Sequence, residues 1–157
     1  IAAIEGPAVA GGLELALWCD LRVCGQSAHL GVTCRKWGVP LIDGGTVRLP
    51  RLIGMSPALD MILTGRDVPA DEAKAMGLVN RVAQDGSALE TAKKMGRKIA
   101  AFPQTCLRND RRSVYEQADM SLREAIANEF ELGMKTIDEA GLDGVSNFVE
   151  KDEPQDS

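Results

Sequence analysis

The sequence predicts an α/β fold, and three observations carry that prediction. Short apolar runs alternate with helical segments over the first half of the chain. The second half carries helical patterns alone. Glycine, proline and helix-capping residues stand where one element must give way to the next.

Ile1–Ile4 is an apolar run that reads as a strand. It feeds a glycine-punctuated turn, Glu5-Gly-Pro-Ala-Val-Ala10, and Gly11–Cys19 reads as a short apolar helix. Leu21–Cys24 reads as a second strand and His29–Val32 as a short extended piece. Cys34–Gly45, rich in Gly and carrying Pro40, reads as a loop. A short helix is expected from about Thr46 to Ile53, bent at Pro50. Ser56-Pro57 offers a cap and a first helical residue, and that helix stops at Gly65. Asp71–Met76 is a short helix closed by Gly77, and Leu78–Val82 is extended again. Ser87-Ala-Leu-Glu90 is a capping box that opens a helix to about Ala101, where Pro103 breaks it. A helix from Thr105 to Gln117 follows, and a second capping box, Ser121-Leu-Arg-Glu124, opens one to about Glu139. Gly141 and Gly144 punctuate its end, Asp143–Glu150 reads as a last short helix, and Lys151–Ser157 as a disordered acidic tail.

The 157 residues suffice for a respectable core. A net charge of −5 gives no basic surface for nucleic acid or an anionic membrane, and no apolar run reaches the ~20 residues of a membrane helix. Cys19, Cys24, Cys34 and Cys106 form no C-x-x-C pair, and His29 is the single histidine, so zinc spacing is absent and free thiols in a reducing compartment are expected. No metal or redox cofactor is implied.

The chemistry concentrates at the first turn. Glycines at a strand-to-helix bend let the backbone approach a ligand closely. N–H groups at a helix start favour negative charge. Glu14 stands one helical turn after Gly11. Donors beside a carboxylate can hold an oxyanion and move a proton, which suits reactions next to a carbonyl. The turn lacks G-x-G-x-x-G and the Lys-Ser/Thr of a phosphate loop. By itself it also fits a packing device with a carboxylate favoured by the helix dipole.

Ile1-Ala-Ala-Ile-Glu-Gly-Pro-Ala-Val-Ala-Gly-Gly-Leu-Glu-Leu-Ala-Leu-Trp-Cys-Asp20 resembles the signature of the crotonase family, the enoyl-CoA hydratases and isomerases. The resemblance continues through Ala28–Gly31, Gly38–Gly54, Leu63–Gly65, Ala73–Val79 and Asp143–Glu150, in order and across essentially the whole chain. It implies a ββα spiral in which residues 1–85 are the C-terminal part of the core and residues 86–150 are helices for oligomer and CoA contacts. A longer N-terminal part precedes this point in that fold, and supplies the first strands and one of two oxyanion donors. The implied substrate is an acyl-CoA thioester, with CoA as part of the substrate. The implied assembly is a homotrimer or hexamer, in cytoplasm or mitochondrial matrix.

The resemblance makes Gly11 the second oxyanion donor and Glu14 the first of two catalytic glutamates, the one that holds or activates water. The place of the second glutamate falls on Cys34. A thiol, with its ordinary pKa of about 8.5, does not replace a carboxylate as acid and base. Asp43, nine residues on, is the candidate replacement, since dienoyl-CoA isomerases and dihydroxynaphthoyl-CoA synthases place an aspartate near this spot. Two carboxylates in one half-buried cleft can divide acid and base roles. Asp before Gly-Gly also suits a plain turn. Gly12, Cys34, Trp37 and Leu41 are the expected substrate-binding positions, and Phe148 and Lys151 fall in a CoA-proximal segment. The reading is hydration of a 2-enoyl-CoA, with isomerisation through Glu14 and Asp43, or a non-catalytic binding or assembly role, as alternatives. Leu122, Ile126, Phe130 and Met134 form a helical stripe that fits either an intrachain core or a subunit interface.

Overall fold

A computed structural model describes residues 1–140. The expectations for Gly141, Gly144, Asp143–Glu150, Phe148 and Lys151–Ser157 lie outside the described residues. Two compact units are present, Ile1–Arg97 and one from Lys98 onward.

In the first unit, β1 (Ala2–Ile4) and β2 (Pro7–Val9) precede helix α1 (Gly11–Trp18). β3 (Arg22–Gly25) and β4 (His29–Gly31) follow, then a 3₁₀ turn over Thr33–Trp37, helices α2 (Gly45–Ile53) and α3 (Met55–Thr64), β5 (Asp67–Pro69), α4 (Ala70–Ala75), β6 (Arg81–Ala83) and α5 (Ala88–Ala100). The strands divide between two sheets. β1, β3 and β6 form one, parallel throughout. β2 and β4 pair in parallel in the other, with β5 antiparallel at its edge. The first two turns of chain, β1-β2-α1 and β3-β4 before α2, each lay one strand in each sheet before a helix, the ββα spiral expected, whereas in the third α4 separates β5 from β6. β2 and β5 are corrections to the sequence reading. Three residues are too few to show a period, and Pro7 and Pro69 disguise them as turns. Both are held by pairing with β4, a long-range contact.

Leu13, Ala16, Leu17, Leu30, Val32, Leu49, Met61, Val68, Leu78 and Val79 form the core, together with buried Cys24 and Cys34. α2 presents Gly45, Leu49 and Ile53, spaced by four, to it. Arg22 is also buried. Its Nε donates to Leu78 O at 2.8 Å, and its Nη1 to Cys19 O at 2.6 Å and Ala16 O at 3.3 Å. A guanidinium there meets the negative end of α1 and donates to carbonyls at its last turn, Ala16 O also accepting from Cys19 N–H.

Helix ends differ in detail from the sequence reading. α3 starts at Met55 after Gly54, one residue before the expected Ser56 cap. It ends, as expected, on Gly65, left-handed at φ 61°. At the start of α5, Glu5 takes the N–H groups of Gly86 (2.9 Å) and Ala88 (2.6 Å), while Glu90 pairs with Lys93. The capping work expected of Ser87 and Glu90 is thus done from residue 5. In the second unit, α6 (Gln104–Glu116) and α7 (Leu122–Ala140) pack together, tied by Asn109 Nδ2 to Thr136 Oγ1 at 2.8 Å. The Ser121–Glu124 box closes as expected, with Ser121 N–H on Glu124 Oε2 at 2.8 Å and Glu124 N–H on Ser121 Oγ at 3.4 Å. Leu122, Ile126, Phe130 and Met134 are exposed, so the stripe is not an intrachain core among the described residues. No described helix is long and apolar enough to cross a membrane.

Candidate active site

The site is built at the start of α1. β2 ends at Val9, and Ala10 makes the bend with φ 52° and ψ −125°. Ala10 is the single non-glycine residue with positive φ among the described residues. Such a conformation costs about 1–3 kcal/mol in a residue with a Cβ. It is held because Ala10 N–H donates to Gly31 O at 2.9 Å, continuing the β2–β4 ladder, while Ala10 O accepts from Glu14 N–H at 3.1 Å. The chain therefore turns sharply from strand to helix. Gly11 and Gly12 open the helix at an exposed position, their N–H groups beyond the reach of intrahelical acceptors.

Glu14 lies one turn further in and is 2% exposed. Its Oε1 accepts the N–H of Asp43 at 2.9 Å and of Gly45 at 2.8 Å. A buried carboxylate needs such donors. One oxygen of Glu14 is thus spent on fixing the loop before α2. A Cβ on Gly45 would stand 2.8 Å from Glu14 Oε1 and 3.0 Å from Leu41 Cδ1, so only glycine lets the two segments close on each other.

The same loop carries Asp43, with Oδ2 3.8 Å from where a Cβ on Gly11 would lie. Gly11, Glu14, Leu41 and Asp43 are therefore gathered in one place. Asp43 is exposed rather than half-buried, so the two carboxylates sit in unlike surroundings. Cys34 is buried in the 3₁₀ turn among core residues, and Trp37 on the same turn is 83% exposed. Burial pushes the Cys24 thiol pKa up, as suits a packing thiol.

Two residues escaped the sequence reading. Trp18 Nε1–H donates to Asp43 O at 2.8 Å, and the Arg48 guanidinium lies 4.0 Å over the Trp18 ring. Arg48 is thus a stacking partner rather than a plain solvated charge. The signal available was the spacing Glu14–Trp18, one turn on the same helix face. Among the described residues no group of three or more His, Cys, Asp or Glu side chains is placed to hold a metal ion.

Known proteins resemble this chain in sequence and fold. The chain is 39% identical over 98% of its length to the enoyl-CoA hydratase EchA19 of Mycobacterium tuberculosis, and covers 58% of that protein. It is 34% identical over 96% of its length to the short-chain-enoyl-CoA hydratase of Clostridium acetobutylicum, and again covers 58%. The chain thus spans somewhat over half the length of these relatives. Among solved structures, an enoyl-CoA hydratase from Mycobacterium tuberculosis H37Rv superposes over 98% of the chain and 62% of its own, with TM-score 0.90 and 33% identity. One from Geobacillus kaustophilus superposes over 98% and 59%, with TM-score 0.89 and 39% identity. The sequence model of enoyl-CoA hydratase/isomerase matches residues 1–156, and with the spiral of strands and the glycine-opened α1 this makes the chain a member of the enoyl-CoA hydratase/isomerase family.

Proposed function

We propose that this chain carries the acid–base half of an active site that hydrates a 2-enoyl-CoA thioester. The observation that supports it is buried Glu14, held by two backbone donors one turn after Gly11, with Asp43 brought beside the same glycine. In the reaction, the oxygen of water bonds to C3 of the enoyl group as Glu14 takes a proton from that water. The C2–C3 π electrons move toward the thioester, whose oxygen gains negative charge. The Gly11 N–H stabilises that oxygen, together with a donor that the family resemblance expects from sequence before Ile1. A proton then bonds to C2 and the carbonyl re-forms, leaving a 3-hydroxyacyl-CoA. Asp43 is the group available to pass a proton in place of a glutamate at Cys34. No cofactor beyond the CoA of the substrate enters these steps.

Asp43 also favours a second reading, isomerisation. There one carboxylate removes a proton from C2 or C4 of an enoyl-CoA and the other returns one at the far end of the shifted double bond. A homotrimer or hexamer is the expected assembly, with the exposed apolar stripe of α7 as the surface that supports it. Cytoplasm or mitochondrial matrix is the expected compartment.

The test uses the native full-length chain. Crotonyl-CoA hydration is followed by loss of the conjugated enoyl thioester absorbance, and conversion of a 3-enoyl-CoA by its gain. Glu14→Gln keeps an oxygen for the two N–H donors but cannot take a proton, so kcat should fall about 10²–10⁴-fold. Wild-type protein that binds the CoA esters and turns over neither one would overturn catalysis in favour of a binding or assembly role.

A further inference from the structure

We infer that Trp18 is a positioning residue, which with Arg48 holds Asp43 in place through its main chain. This rests on the reading above that Asp43 acts on the substrate.

The loop before α2 is gripped at both sides of Asp43. Its N–H goes to Glu14 Oε1 at 2.9 Å and its C=O receives the Trp18 indole N–H at 2.8 Å. Glu14 and Trp18 are four residues apart on α1, and so share a helix face. One face of one helix therefore accepts from and donates to a single peptide segment, which fixes both its position and its rotation. Gly44 lets the chain leave the clamp with φ 92°, a value that strains any residue with a Cβ. Arg48 lies one turn into α2 and stacks its guanidinium 4.0 Å over the indole, so the ring that holds the loop is itself held by the helix the loop leads into.

The burial pattern points away from a packing role. Trp18 is 58% exposed, so its ring is not in the core. What it contributes is one directed hydrogen bond and a platform for a cation. The carboxylate of an exposed aspartate in a glycine-flanked loop has little else to fix it. With the main chain clamped, Oδ2 stays 3.8 Å from the Gly11 Cβ position, beside the donor proposed for the thioester oxygen.

The test combines hydrogen exchange with a double-mutant cycle on the native full-length chain. Trp18→Phe removes the N–H and keeps a ring for Arg48. Exchange of the Asp43 and Gly45 amides should speed up about tenfold while distant core amides hold still. On crotonyl-CoA, or a 3-enoyl-CoA where that is the reaction, kcat should fall about ten- to hundredfold with KM little changed. In an Asp43→Asn background the same Trp18→Phe change should do almost nothing further, because the two act as one unit. Arg48→Gln, which leaves the indole N–H in place, should give a smaller loss in the same direction.

Unchanged exchange of the two amides would overturn the inference whatever the rates do. So would a Trp18→Phe loss that is as large in the Asp43→Asn background as in wild type. If Asp43→Asn is itself silent while Glu14→Gln abolishes turnover, the role of Asp43 has failed, and the inference falls with it for that separate reason. Should Trp18→Phe fail to fold, Arg48→Gln carries the same cycle.

Discussion

Gly45→Ala adds one methyl group at the point where α1 and α2 close on each other. The added carbon would lie 2.8 Å from Glu14 Oε1, 3.0 Å from Glu14 Cγ and 3.0 Å from Leu41 Cδ1. The backbone itself does not forbid alanine. Gly45 is absent from the positive-φ residues and is the first residue of α2, where exchange of Gly for Ala gains at most about 1 kcal/mol. Opposing this is overpacking at about 1–3 kcal/mol, and the strain or loss of hydrogen bonds to a charged group, about 1.5–3 kcal/mol when broken. Glu14 is the atom set in the way, and it cannot swing aside without releasing Asp43 and Gly45. The net expectation is a loss of about 2 kcal/mol, seen as a fall of roughly 4–8 °C in Tm for a chain of this size. The catalytic cost should exceed the stability cost, since a shift of about 1 Å in a reacting group can lower kcat/KM about 10²-fold. Urea or thermal unfolding, with crotonyl-CoA turnover, measures both. Gly6→Ala is the stability control, because a Cβ there meets nothing within 4 Å. A Gly45→Ala protein with wild-type Tm and wild-type turnover would refute the packing argument and the placement of Glu14 together.

Two further predictions concern what holds the site. Arg22→Met should cost about 3 kcal/mol, read as a lower urea midpoint, because it removes the guanidinium donors from the buried carbonyl of Leu78 and from those of Cys19 and Ala16 at the end of α1. Arg22→Lys should recover little of this, since a single ammonium cannot span carbonyls placed around a planar fork. At low pH, Glu72 is the group to watch, its carboxyl held below the ordinary range by hydrogen bonds from Arg66, which also pairs with Asp60 at 2.6 Å. A folded value below the unfolded one means the pair stabilises above the ordinary carboxylate pKa of about 4.3, and fades as pH falls through the lower folded value. The difference in urea midpoint between wild type and Glu72→Gln should therefore be full at pH 7 and shrink below about pH 4. A difference that stays constant down to pH 3 would count against it.

The parts of the fold that could be read from sequence are those whose cause is local. α1 was legible because its apolar run starts at two glycines, and α7 because Ser121 and Glu124 satisfy each other's N–H groups within one turn. Glu14 was legible for the same reason, as a carboxylate one turn into a donor-rich helix start. What escaped is held by distant partners. β2 and β5 exist as strands because β4 lies between them. Glu5 caps a helix that begins 83 residues later. Arg22 looks like a solvated charge in a strand, and only the return of Leu78 past the end of α1 shows that it is buried. For Trp18 the spacing from Glu14 shows a shared helix face but not the partner, because the group that Trp18 serves, with Arg48 stacked on it, is the carbonyl of a distant loop residue.

These long-range contacts explain how an eight-residue helix can position chemistry at all. A helix of that length is not stable alone in water. At its start, α1 is tied to β4 through Ala10 N–H and Gly31 O, which also holds the strained bend that aims the Gly11 N–H outward. At its end, the Arg22 guanidinium takes the carbonyls of Ala16 and Cys19. Between these anchors Glu14 and Trp18 reach across to the loop of Asp43. The ties act on different groups, the Arg22 tie on main-chain carbonyls of the helix and its cap and the Trp18 tie on a loop outside it, so loss of one should loosen its own segment before the helix as a whole. That ordering separates the variants. Arg22→Met should lower stability and turnover together, because both depend on α1 being formed. Trp18→Phe should lower turnover with little change in stability, because its single bond serves an exposed loop. If the two variants instead lose stability and activity in the same proportion, α1 acts as one rigid block, and the division of labour along it is wrong.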